Sequence, residues 1–128
     1  MTVVRGKDNR STSTPNALMT TLASPSLART DELSMWKVAM RHGQQGPAHR
    51  FDVEQIWTVL IGSPTIEMAG ETIHLAAGDT VSVPAEVVRR FAAPDGDVEF
   101  LVCGRGCGLA TPVVDGEAGE SVSPAWIS

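Results

Sequence analysis

From Leu33 onward, apolar and polar residues alternate in short stretches that Gly- and Pro-bearing turns interrupt. LSMWKVAM over 33–40 has the period-two pattern of a half-buried strand. A polar loop, RHGQQGPAH, separates it from Phe51–Ile61 (FDVEQIWTVLI), whose β-branched and aromatic residues predict another strand ended by Gly62-Ser63-Pro64. TIEM and TIHL flank a tight turn at Ala69-Gly70-Glu71, and TVSV runs from the turn at Ala77-Gly78-Asp79 to Pro84. AEVVRRFAA, a turn at Pro94–Asp97 and VEFLVCG complete the regular part. No long stretch holds a 3.6-residue apolar period, and strands recur about every 8–12 residues, as in an all-β sandwich or barrel.

Residues 1–30 differ in texture: they are rich in Ser, Thr, Asn and Pro, with short apolar patches at Ala17–Met19 and Leu22–Ala23. They read as a partly flexible N-terminal arm or edge segment, which leaves 31–128 as one barrel domain. The tail after Gly108 is rich in Gly, Pro and acidic residues until Pro124–Ile127.

Composition narrows the classes of function. The chain has 128 residues, 42% hydrophobic and 20% charged, which suits a single globular domain. A net charge of −5 argues against a nucleic-acid partner. No apolar run is long enough to span a membrane and the first residues carry no secretory h-region, so a cytoplasmic setting without a membrane partner is expected. Cys103 and Cys107 are spaced C-x3-C, not as a redox C-x-x-C, and read as small residues at a strand end and a Gly-rich turn.

The order of strands and turns carries two motifs. GPAHRFDVEQIWTVLIG (46–62) and GDTVSVPAEVVRRF (78–91), with a hairpin between them, resemble the paired motifs of small single-domain cupins over roughly residues 33–105. The resemblance implies an all-β, cupin-like jelly-roll β-barrel, here with an N-terminal arm. In that family the first motif supplies two His and a Glu and the second a further His. Counting back from Gly62 puts His49 on the first His, Phe51 on the second and Gln55 on the Glu. In the second motif Gly78, Asp79, Pro84 and Phe91 fit, Arg89 stands at the His and Glu86 where a Gly is usual.

Alternate strand residues share a face, so His49, Phe51, Val53, Gln55, Trp57 and Val59 are expected inside and Arg50, Asp52, Glu54, Ile56 and Thr58 outside. Phe has no donor atom, Arg is permanently cationic and neutral Gln is a weak donor, so neither a metal nor another cofactor is expected. A one-residue slip would turn Asp52 and Glu54 inward, at odds with the Gly62 anchor.

Two residues carry the expected chemistry. His49 would transfer a proton near neutral pH and Arg89 would hold an anionic carboxylate, phenolate or enolate. Phe51, Gln55, Trp57 and Phe91 would bind a flat, largely apolar ligand. The structural alternative has Glu86 or Glu54 neutralising Arg89, with His49 and the aromatics simply filling the core. His42 and His74 read as solvated residues. The expected function is a metal-independent cyclase or isomerase of an aromatic or polyketide-like metabolite. Its rivals are a non-catalytic small-molecule carrier, sensor or resistance protein, and a metal cupin built on His49 with Gln55 or Glu54. Thr58–Ile61 is apolar on nearly every residue, which together with the arm and the resemblance predicts a homodimer.

Overall fold

The computed structural model describes residues 1–128. In chain order the strands are β1 (Arg10–Ser13), β2 (Leu18–Ala23), β3 (Leu33–Met40), β4 (His49–Phe51), β5 (Gln55–Ile61), β6 (Thr65–Met68), β7 (Glu71–His74), β8 (Thr80–Val83), β9 (Arg89–Ala92), β10 (Val98–Arg105), β11 (Ala110–Val114) and β12 (Glu117–Ala118). They form two six-stranded sheets, ordered β1-β2-β3-β10-β5-β8 and β12-β11-β4-β9-β6-β7, with antiparallel pairing throughout. This is the all-β jelly roll that the resemblance implies. A single helical turn, α1 (Pro25–Ala28), is capped by the Ser24 side chain, which accepts from the Leu27 N–H. No helix is long and apolar enough to cross a membrane.

The core lies between the sheets. Trp36, Val38 and Met40 on β3, Trp57 and Val59 on β5, and Phe100 and Val102 on β10 face Phe51, Ile66 and Phe91 of the second sheet. The indole of Trp57 stacks on Phe91 with ring centres 4.0 Å apart, and Phe100 meets both edge-on. The expected register holds: Gln55, Trp57 and Val59 are buried while Glu54, Ile56 and Leu60 are exposed. The slipped register is therefore excluded.

Four details differ from the sequence expectation. Phe51–Ile61 is not one strand, because residues 52–54 turn the chain from the second sheet to the first. Asp52 makes that corner: its N–H donates to the Leu109 carbonyl, and its Oδ1 accepts from the Leu109 N–H at 2.8 Å. In AEVVRRFAA only Arg89–Ala92 is strand, since Glu86 adopts a left-handed backbone (φ 68°) and turns the chain. The N-terminal segment is more regular than its texture predicts: β1 and β2 extend the edge of the first sheet, and Met19 and Thr21 are buried in it. The tail likewise contributes β11 and β12 to the second sheet.

Gly62 shows why the first motif ends as it does. Its φ is +90°, and a Cβ there would lie 2.3 Å from the Asp97 carbonyl oxygen. Only glycine combines that left-handed backbone with so close an approach.

Candidate functional site

A cavity of about 280 Å³ opens between the sheets. Its wall comes from several parts of the chain. The barrel strands supply Trp36, Val38, Met40, His49, Phe51, Gln55, Trp57 and Phe91. The turn between β1 and β2 adds Thr14, Asn16 and Ala17, β2 itself adds Met19, the loop before β4 adds Gly46 and Pro47, and the tail adds Ala110, Pro112, Val122, Pro124 and Trp126. His49 is the one titratable side chain in this wall.

His49 opens β4, where the chain leaves the Gly46-Pro47 turn. Its Nδ1 lies 2.9 Å from the Pro47 carbonyl oxygen, which can only accept, so Nδ1 carries the proton and Nε2 keeps the lone pair. Burial lowers the His49 pKa below its ordinary value; the Pro47 bond opposes this and the nearby Arg89 charge adds to it. The ring is therefore a neutral base at pH 7, set edge-on to Phe51 with centroids 5.4 Å apart.

Arg89 pairs with His49 in the β4–β9 register and is fully buried. Its Nη2 donates to Gln55 Oε1 at 2.9 Å, its Nη1 donates to the Val87 carbonyl at 3.1 Å, and its guanidinium lies 4.8 Å from the centre of the Phe51 ring. No carboxylate neutralises it. Glu86 pairs with Arg50 instead, at 3.3 Å, and Glu54 is exposed. Burial lowers the Arg89 pKa to about 10, which leaves the group cationic at neutral pH.

Gln55 lies between Arg89 and the cavity. Its Oε1 also accepts from Trp57 Nε1 at 3.1 Å, so two donors fix the amide orientation. The structure thus gathers His49, Phe51, Gln55, Trp57 and Phe91 in the cavity wall, with Arg89 behind them rather than in the lining. Trp36 and Trp126 also line the cavity, and sequence reasoning had assigned Trp126 no role. The period-two pattern did place Trp36 on an inward face; nothing periodic marks the tail.

The four motif positions do not fit a first-row metal ion. Only His49 offers an imidazole, Phe51 has no donor atom, and Gln55 Oε1 already accepts two hydrogen bonds. The Arg89 guanidinium beside it would repel a dication. Glu54 points away from the barrel, and nowhere does the chain bring three or more His, Cys, Asp or Glu side chains together as ligands. His42 is held at the surface by its N–H to Asp97 Oδ1 and its Nε2 near the Pro94 carbonyl, and His74 is exposed on β7. Cys103 and Cys107 are both free.

Comparison with known proteins bears on the fold. A sequence profile of the cupin domain matches residues 36–104. No curated protein matches the sequence. Among solved structures, KdgF from Halomonas sp. superposes with a TM-score of 0.69 at 20% identity, over 80% of this chain and 93% of that one. An RmlC-like cupin from Shewanella frigidimarina gives 0.70 at 19% identity, over 80% and 88%. The polyketide cyclase RemF from Streptomyces resistomycificus gives 0.70 at 18% identity, over 100% of this chain and 87% of its own. The profile spans more than half of the sequence and these structures share its two-sheet barrel, so the chain belongs to the cupin family.

Proposed function

We propose that this cupin is a metal-independent cyclase or isomerase acting on a flat, aromatic or polyketide-like small molecule, with His49 as the proton-transfer group. One observation carries the reading: a neutral imidazole with its proton held at Nδ1 by Pro47 is the only titratable group in an apolar cavity. Nε2 takes a proton from an acidic carbon or hydroxyl of the substrate and returns it at another position, as ring closure or double-bond migration requires. The cationic Arg89, acting through the Gln55 amide, stabilises the enolate or phenolate formed on the way. Phe51, Trp57 and Phe91 bind the flat body of the substrate. The shared fold with a polyketide cyclase over the full chain supports this class of chemistry. The test is His49→Ala: turnover of a cyclisable polyketide-like substrate is lost while the circular dichroism spectrum is unchanged. Turnover equal to the parent protein overturns the reading.

A second reading, a non-catalytic carrier, sensor or resistance protein, is favoured by the same count of one titratable side chain in the wall. A ligand that co-purifies and is recovered unchanged after prolonged incubation would favour it.

We also propose that the protein is a homodimer. Leu33 and Met35 on β3 and Ile56 and Leu60 on β5 are exposed on the outer face of the first sheet, on either side of β10. A second copy packed there would remove them from water.

A further inference from the structure

Four buried side-chain polar atoms lack a hydrogen-bond partner; two of them, Trp36 Nε1 and Gln55 Nε2, belong to residues of the cavity wall, and a third, Arg89 Nε, lies behind Gln55. All three are N–H donors. Trp36 and Gln55 are each 1% exposed and flank Gly104 of β10; a Cβ built there would lie 3.1 Å from Gln55 Cγ and 3.7 Å from Trp36 Cη2. The orientation of the Gln55 amide is not free, because Trp57 and Arg89 both donate to its oxygen and leave only the NH₂ group unused. A buried donor without a partner is costly, so two on residues of one cavity wall point to a ligand acceptor that offsets them. The surrounding charge has the same sign. Arg89 is buried with no carboxylate, and no Asp or Glu lines the cavity.

We infer that the ligand of this cavity is an acidic phenol or enol bound as its oxyanion, with the donors of Trp36 and Gln55 and the charge of Arg89 selecting the anion over its neutral form. The inference rests on the cavity being the working site, and it adds Trp36 as a specificity-determining residue and names the substrate class. An apolar pocket alone raises the pKa of a bound phenol, because burial penalises the charged form. Only a net positive, donor-rich wall lowers it, so the sign of the shift is the test.

The probe is 4-nitro-1-naphthol, whose anion absorbs in the visible, titrated in the presence and absence of the parent protein; its methyl ether is the control. The expected result is binding with the probe's pKa lowered by about one unit or more, and much weaker binding of the ether. In Arg89→Met the shift disappears. Trp36→Phe, which keeps an aromatic ring but removes the donor, retains part of it and covers the case in which Arg89→Met does not fold. An unchanged or raised pKa, equal binding of the ether, or no binding of the probe overturns the inference. The shift does not depend on turnover. Loss of the shift with catalysis by His49 intact refutes this inference alone, and an intact shift with His49→Ala still turning over refutes the proposed mechanism alone.

Discussion

Arg89 Nη2 and Gln55 Oε1, 2.9 Å apart, join the two sheets: Arg89 belongs to β9 and Gln55 to β5. The bond helps pin an amide at the cavity wall with its oxygen occupied by two donors, at the cost of a buried cation that no acid neutralises. Arg89 is thus a device for orientation and field, and its value for stability is small. Replacing it with Met removes the desolvation cost of the guanidinium together with its bonds to Gln55 and Val87 and its contact with Phe51. These terms oppose one another, so unfolding free energy should change by no more than about 1 kcal/mol. Urea denaturation measures this; a loss of several kcal/mol would make Arg89 a structural residue first.

The pH dependence follows from His49. Its folded-state pKa lies below the ordinary 6.5. The neutral ring therefore contributes stability that is fully present above the unfolded value and is lost as pH falls through the lowered folded value. Activity should share that acid limb, with an apparent pKa below 6.5, because protonation removes the base. A pH profile of kcat/KM that loses activity well above that value would point to another group, and His49→Gln should abolish the limb along with the rate.

Two glycines with similar backbones should differ sharply when replaced by Ala. Gly62 (φ +90°) and Gly70 (φ +78°) both sit in the left-handed region, but a Cβ at Gly62 meets Asp97 and Val98 whereas one at Gly70 meets nothing. Gly70→Ala should cost only the backbone term, about 1–2 kcal/mol. Gly62→Ala adds overpacking of about 1–3 kcal/mol or more, enough to threaten a marginally stable domain. Thermal melts of the two variants side by side check the order.

The dimer is tested on the outer face of the first sheet. Ile56 and Met35 are both register partners of Cys103, one from each side, so the three lie in a row across the sheet. Ile56→Glu places a charge in that row without touching the inward face. Sedimentation equilibrium should show the parent protein as a dimer and this variant as a monomer with an unchanged fold. A monomeric parent protein at micromolar concentration overturns the proposal.

Much of the barrel was legible because strand alternation is a local rule. Counting back from Gly62 put Gln55, Trp57 and Val59 inside and Ile56 outside, as observed. The corner at 52–54 was not legible, since the bond that makes it joins Asp52 to Leu109, 57 residues away. The side of Gln55 on which Arg89 lies was also hidden: alternation gives a side chain its face, but a long flexible one chooses its own reach. The segments 10–23 and 110–126 carry Ser, Thr, Gly and Pro without a clear period, and their place in the sheets is set by partners elsewhere in the chain.

Those two segments have a consequence for how selectivity is divided along the chain. The stretch that matches the cupin domain, 36–104, supplies the imidazole, the amide and the aromatic floor, while Asn16, Met19, Val122, Pro124 and Trp126 lie outside it. Reactive groups and much of the enclosing surface therefore sit on separate pieces of sequence. A chimaera that exchanges 10–23 and 110–126 with those of another small cupin would recast the ligand's outline while leaving the proton-handling apparatus intact.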